Sequence, residues 1–293
     1  MRIFAINFNI IKIIRIFAEI FKIIYMRSRI VKIFFFFSVF FSVFLLFTSF
    51  NPQPPQRARF SETPVFKDGE KLNFRVHYSG ITGGELTAVL RQTRHHGNDI
   101  FHAVLTGRTT GLAERVYKVF DVYESFFNVN TNLPYRAISN IREGNYRFFN
   151  DVTFHRQGDF VTCRHKGRVE VPENTMDMAA VLYYVRRLDI AAMRMNDTIS
   201  VDTYFGRKLF PFQIIYKGRE TISINSGTYR CFKFMPVTEV GRAFKNEDDM
   251  VVWLSDDQNR IPVSIRFNMR VGSFRCDLIS TENLMFPLSA KTR

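Results

Sequence analysis

Catalytic signatures are missing from this chain of 293 residues: there is no Gly-rich phosphate loop, no G-x-S-x-G elbow, no H-E-x-x-H and no C-x-x-C. Four common routes to an activity therefore have no foothold. Cysteine is scarce and odd in number, with Cys163, Cys231 and Cys276 widely spaced. Cys276 shares a strand face with Phe274 and Leu278 and reads as a buried thiol, and nothing in the spacing argues for a Cys163–Cys231 bridge. No motif ties a His and an Asn to any of the three, as a thiol nucleophile would need. Tryptophan occurs once, at Trp253. Alternating βαβ patterns and fixed-period repeats are absent as well. With 46% hydrophobic and 23% charged residues, the chain can bury a full core and is not globally disordered.

What is abundant is phenylalanine, 33 residues, of which 13 fall in the first 50. Charge is equally uneven. Residues 1–32 carry Arg2, Lys12, Arg15, Lys22, Arg27, Arg29 and Lys32 against Glu19, which is +6 of the formal +14. A high isoelectric point concentrated there is weak ground for nucleic-acid binding. Residues 33–50 are uncharged and follow Arg27, Arg29 and Lys32, the pattern of a secretory signal or a membrane anchor. Two readings of residues 1–25 stand. Met26 would begin a signal of ordinary form, leaving the preceding Ile- and Phe-rich stretch as translated upstream DNA. Alternatively, Lys12, Arg15, Glu19 and Lys22 form the polar stripe of a helix lying on a membrane surface. Residues 51–60 are a Pro-rich linker, and 61–293 form one β-rich domain.

Within that domain the hydrophobic period is two. Leu72, Phe74, Val76 and Tyr78 alternate with Lys71, Asn73, Arg75 and His77. Ile261, Val263, Ile265, Phe267, Met269 and Val271 alternate with Pro262, Ser264, Arg266, Asn268 and Arg270 before Gly272 turns the chain, which predicts a long hairpin with one wet face. Further strands are expected around 100–107, 119–129, 134–142, 146–155, 160–166, 198–205, 210–217, 220–225, 228–238 and 250–255. One helix is expected over 174–188, with Asn174 and Asp177 as a capping box and a stripe of Met178, Val181, Leu182, Val185 and Leu188 plugging the sheet. A shorter helix is expected at 112–118. The fold class is thus mostly β, a curved antiparallel sheet forming an open or half barrel with one or two short helices.

Polar clusters offer few sites. His95-His96 lies in a turn, and His155 and His165 lie on neighbouring strands without a third metal ligand. Glu247, Asp248, Asp249, Asp256 and Asp257 flank Trp253, where strand ends favour Asp and where paired carboxylates could also act on a glycan. Asp121, Tyr123 and Ser125 fall on one face of a strand, with Glu124 on the other. Such a buried trio needs mutual hydrogen bonds or a polar ligand.

Several segments together resemble the domain-of-unknown-function 3108 (DUF3108) family in its Bacteroidetes-type exported form. They are Gly69-Glu-Lys-Leu-Asn-Phe-Arg-Val-His-Tyr78, the Gly83-Gly84-Glu85 turn, and Tyr117-Lys-Val-Phe-Asp-Val-Tyr-Glu-Ser125 followed by Leu133-Pro134. Asp177 ahead of Leu182-Tyr-Tyr-Val-Arg186, and Val252-Trp-Leu-Ser-Asp-Asp257 running into Arg260-Ile-Pro-Val263 and Gly272, complete the set. The resemblance implies an envelope β protein with a half-barrel sheet, and it supplies no catalytic residues. Relatives with a signal of ordinary length favour Met26 as the start.

Taken together, these features predict an exported periplasmic or envelope protein that is not an enzyme and needs no cofactor or metal. Its half barrel would bind an apolar or amphiphilic ligand or an envelope glycan, at Asp121, Tyr123, Ser125, Trp253, Tyr183 and Arg186. A module holding an envelope protein complex together and a carboxylate-dependent glycan hydrolase are the alternatives. No nucleic-acid partner is expected, and residues 33–50 would contact the inner membrane if uncleaved.

Overall fold

The computed structural model describes residues 59–61, 64–95, 97–237, 249–268 and 272–293. The signal, the two readings of residues 1–25 and most of the linker lie outside the described residues. So do His96, Glu247, Asp248, Met269, Arg270 and Val271. Among the described residues, no helix is long and apolar enough to cross a membrane.

Among the described residues, fourteen strands form a single sheet: β1 (Lys71–Tyr78), β2 (Ile81–His95), β3 (Asn98–Thr109), β4 (Phe120–Asn128), β5 (Pro134–Glu143), β6 (Tyr146–His155), β7 (Phe160–Cys163), β8 (Gly167–Glu170), β9 (Thr198–Phe205), β10 (Lys208–Ile224), β11 (Gly227–Pro236), β12 (Met250–Ser255), β13 (Pro262–Asn268) and β14 (Ser273–Glu282). Helix α1 is Gly111–Val116 and helix α2 is Met178–Arg186. The spatial order β8-β7-β6-β5-β4-β3-β2-β1-β14-β13-β12-β11-β10-β9 is two meanders joined where β14 pairs antiparallel with β1. Strands β8 and β9 are the two edges, so the curved sheet does not close. The chain crosses between them through α2, and Met176 lies along β9 there, donating to the Asp202 carbonyl and accepting from the Tyr204 amide at 2.8 Å each.

Because side chains alternate along a strand, one face of the sheet is largely apolar. Around α2 it is solid: Ala180, Val181, Tyr183 and Val185 pack into one core with Leu90, Phe101, Phe127, Val201, Phe234 and Leu254. Two buried arginines fasten the helix. Arg186 forks onto Glu70 with N–O distances of 2.6 and 2.8 Å, both side chains being fully buried. Arg187 donates to the carbonyls of Ser61 and Val129 and to Asn132 Oδ1. Buried charges of this kind hold only when every donor is used.

The structure corrects several sequence expectations. The helix begins at Met178 with Asp177 itself as the cap, accepting from the amides of Ala179 and Ala180, while Asn174 sits in a left-handed turn with φ 64°. Met178 and Leu182 are only half-buried. The runs 210–217 and 220–225 are one strand, because Gly218, with φ 89°, makes a bulge between Tyr216 and Arg219 instead of a turn. Strand β8 was not expected at all. The late hairpin is not wet along its whole outer face: Ser264 donates to Asp277 Oδ1 at 2.8 Å and both are buried.

Candidate functional site

Alternation along β4 sends Val119, Asp121, Tyr123, Ser125 and Phe127 to the inner face, and the neighbouring strands add their own inward residues in rows. Tyr123 lies opposite Ser139 on β5, which lies opposite Asn150 on β6. Two rows on, the chain beside Val119 pairs with Glu143, which lies opposite Tyr146. Asp121, Glu143 and Asn150 are all buried. The turn that ends β5 is tight: Gly144 has φ 53°, and a Cβ there would stand 2.7 Å from the Tyr117 ring. Glycine is therefore needed for Glu143 to point inward beneath Tyr117.

Asp121 Oδ1 accepts from the Arg142 amide at 2.9 Å, and its carboxyl faces that of Glu143. Burial pushes the Asp121 carboxyl up to about 6, against the pull of the Arg142 amide and the Glu143 hydrogen bond. Two carboxyls this close favour holding a proton between them. Burial, then the charge of Asp121, also raises the Tyr123 phenol, and burial raises Tyr146. The Asn150 side-chain carbonyl has no hydrogen-bond partner among the described residues. Around these acceptors Leu105, Ile141, Tyr146, Phe148 and Phe205 are half-exposed, Phe205 lying 5.9 Å from the Tyr123 ring. The inner face is thus solid beside α2 and accessible at this end.

The six expected ligand residues do not converge. Asp121 and Tyr123 share the centre just described. Ser125 donates to Asp177 Oδ2 at 2.6 Å and so completes the α2 cap, where burial pushes the Asp177 carboxyl up to about 6. Tyr183 and Arg186 are within the core, under Phe66 and against Glu70. Trp253 is on the outer face, donating to Glu220 at 3.1 Å beneath the guanidinium of Arg266. Glu124 pairs outward with His102 at 2.8 Å.

The remaining sequence candidates are also placed. Asp256 pairs with Arg219, and Asp257 accepts from Ser255, Asn259, Arg260 and Ala290, a turn-holding role. His155 bonds Thr162 and His165 bonds the Phe149 carbonyl, so they do not face each other. All three cysteines are free and buried. Sequence reasoning missed Glu143, Ser139 and Asn150. Ending the strand at 142 removed Glu143 from the face to which the Ala137, Ser139, Ile141 alternation assigns it.

A family model described as "Protein of unknown function (DUF3108)" matches residues 73–279. No curated protein matches the chain. Among solved structures, the chain is similar to a β-barrel-like protein of domain of unknown function DUF1849 from Brucella abortus, with TM-score 0.52 and 7% identity, covering 74% of this chain and 98% of that one. At that identity the likeness speaks to the fold alone. A protein with YmcC-like fold from Bacteroides fragilis aligns with TM-score 0.31 and 9% identity over 77% of this chain and 99% of that one, too distant to add to the fold assignment.

Proposed function

We propose, starting from the fact that this chain belongs to the DUF3108 family, that it is an exported envelope protein whose half barrel is a non-catalytic receptor. Its ligand is an amphiphile with hydroxyl or ammonium donors at its polar end. One observation carries this reading: the inner face is filled by α2 on one side, yet stays half-exposed around Asp121, Glu143 and Asn150, with the Asn150 carbonyl unused. A buried acceptor without a donor costs stability that a bound donor restores. A concave face with a few acceptors on an aromatic wall has the make-up of a ligand site. Export rests on the basic segment ahead of residues 33–50. Of the carboxylates near Trp253 that a hydrolase would use, Asp256 is paired with Arg219 and Asp257 holds a turn, which supports a binding role.

Native mass spectrometry of the protein purified from its own envelope tests this. A bound small molecule should accompany the wild type and be lost from an Asn150→Leu, Tyr123→Ala variant that still melts cooperatively. A wild type that carries nothing, or a variant that keeps the same ligand, overturns the assignment.

A further inference from the structure

We infer that the open end of the half barrel, where the Asp121 centre lies, is a docking surface for an anionic lipid bilayer. Strand direction fixes which connections meet at this end: β1 to β2, β3 to β4, β5 to β6, β7 to β8 and β9 to β10, together with β11 to β12 and β13 to β14, most of whose residues lie outside the described ones. Three contacts link four of them. The Thr110 amide donates to the Gly83 carbonyl at 3.1 Å, the Gly144 amide donates to Lys118 at 2.8 Å, and Arg207 lies 5.6 Å over the Phe148 ring.

Four large apolar side chains on three of these connections are turned to solvent: Ile81 is 61% exposed, Leu112 68%, Val116 59% and Leu209 40%. They are distributed around a rim instead of forming one flat patch. Between them stand exposed Arg115, Lys118, Arg164, Lys166, Arg207 and Lys208, while Glu114, beside Lys118, is the exposed acid among the described residues of these connections. Exposed acids such as Asp99, Asp159 and Glu173 are at the opposite end. Scattered apolar tips within a basic ring fit a surface that is apolar below and negatively charged above. A protein partner would be met by a continuous apolar patch. Docked this way, the accessible inner face opens toward the membrane.

The test uses the full chain with one introduced thiol carrying a nitrobenzoxadiazole label. The native cysteines are buried, so labelling falls on Leu112→Cys or Val116→Cys, with Glu173→Cys as the control at the far end. Vesicles are phosphatidylcholine alone or phosphatidylcholine mixed with phosphatidylglycerol. Emission at 112 and 116 should shift to the blue with the anionic vesicles only, and emission at 173 should not move. Each basic side chain near such a surface strengthens docking about fivefold, so Lys166→Gln with Lys208→Gln should weaken it about 25-fold. Added salt should weaken it further. No shift at 112 overturns the inference, as does an equal shift at 173, which would mean that the N-terminal segment alone carries the chain to lipid. A shift without vesicles that grows with protein concentration also overturns it, by showing that a second copy covers this end.

Discussion

At the scale of single residues, Asp121 is a carboxyl held against its charged form by burial. Its carboxyl titrates near 6 in the folded protein against an ordinary 3.8, chiefly because it is buried. The folded state therefore holds the proton more tightly than the unfolded chain does. The associated stability is full below the ordinary value and is lost as pH rises through about 6. Above that, the charged form costs about 3 kcal/mol at most. Asp121→Asn keeps the acceptor for the Arg142 amide and removes the charge. It should be about 1–3 kcal/mol more stable than the wild type at pH 8, with the gain vanishing near pH 4. Urea unfolding at the two pH values checks this, and a gain equal at both would show that Asp121 is not the titrating group. Period-two alternation made the inward face of Asp121, Tyr123 and Ser125 readable in the sequence. Their partners were not readable: Ser125 meets Asp177 from 52 positions away, and no local pattern carries that pairing.

For secondary-structure elements, α2 shows what periodicity reads and what it misses. Its existence follows from apolar spacing, but the expectation that Arg186 serves a ligand meets a guanidinium already taken up by Glu70. The guanidiniums of Arg186 and Arg187 are fully buried and bonded, so nearly the whole circumference of the helix is interior. The bulge at Gly218 and the four-residue β8 escaped for other reasons: one imitates a turn, and the other is too short and exposed to show a period. The burial pattern ranks positions that a stripe treats as equal. Val181 is 2% exposed and belongs to the main core, whereas Leu182 is half-buried. Val181→Asp should cost several kcal/mol, enough to abolish cooperative folding, while Leu182→Asp should cost about 1 kcal/mol and leave a folded protein. Circular dichroism melting of the two variants separates them. Equal losses would mean that the helix does not present Val181 to the sheet interior.

Across the whole molecule, the mostly β, curved antiparallel character was legible but the strand order was not, because the joint of the sheet is made by the most distant pair. Lys71 on β1 bonds Glu282 on β14 across 211 positions. That closure places β14 between β1 and β13, with Phe74, Val76, Ile265, Phe267, Phe274, Cys276 and Leu278 all buried on one face. The edges are built differently. Strand β8 has four residues, of which Gly167, Arg168 and Glu170 are exposed, and its outer side pairs with no strand among the described residues. Opening β14 requires separating both meanders, so its amides should exchange only through global unfolding, whereas β7 and β8 can peel away locally. Hydrogen exchange of the folded protein should give the strongest protection in β1, β13 and β14 and the weakest in β7 and β8. Met176 is the reason the gap could fail this expectation, since it spans toward β9 by two backbone bonds, and Cys163 on β7 reaches the Tyr204 hydroxyl at 3.4 Å. Protection in β7 and β8 equal to that in β14 would mean that these few links make the open sheet behave cooperatively as a closed barrel.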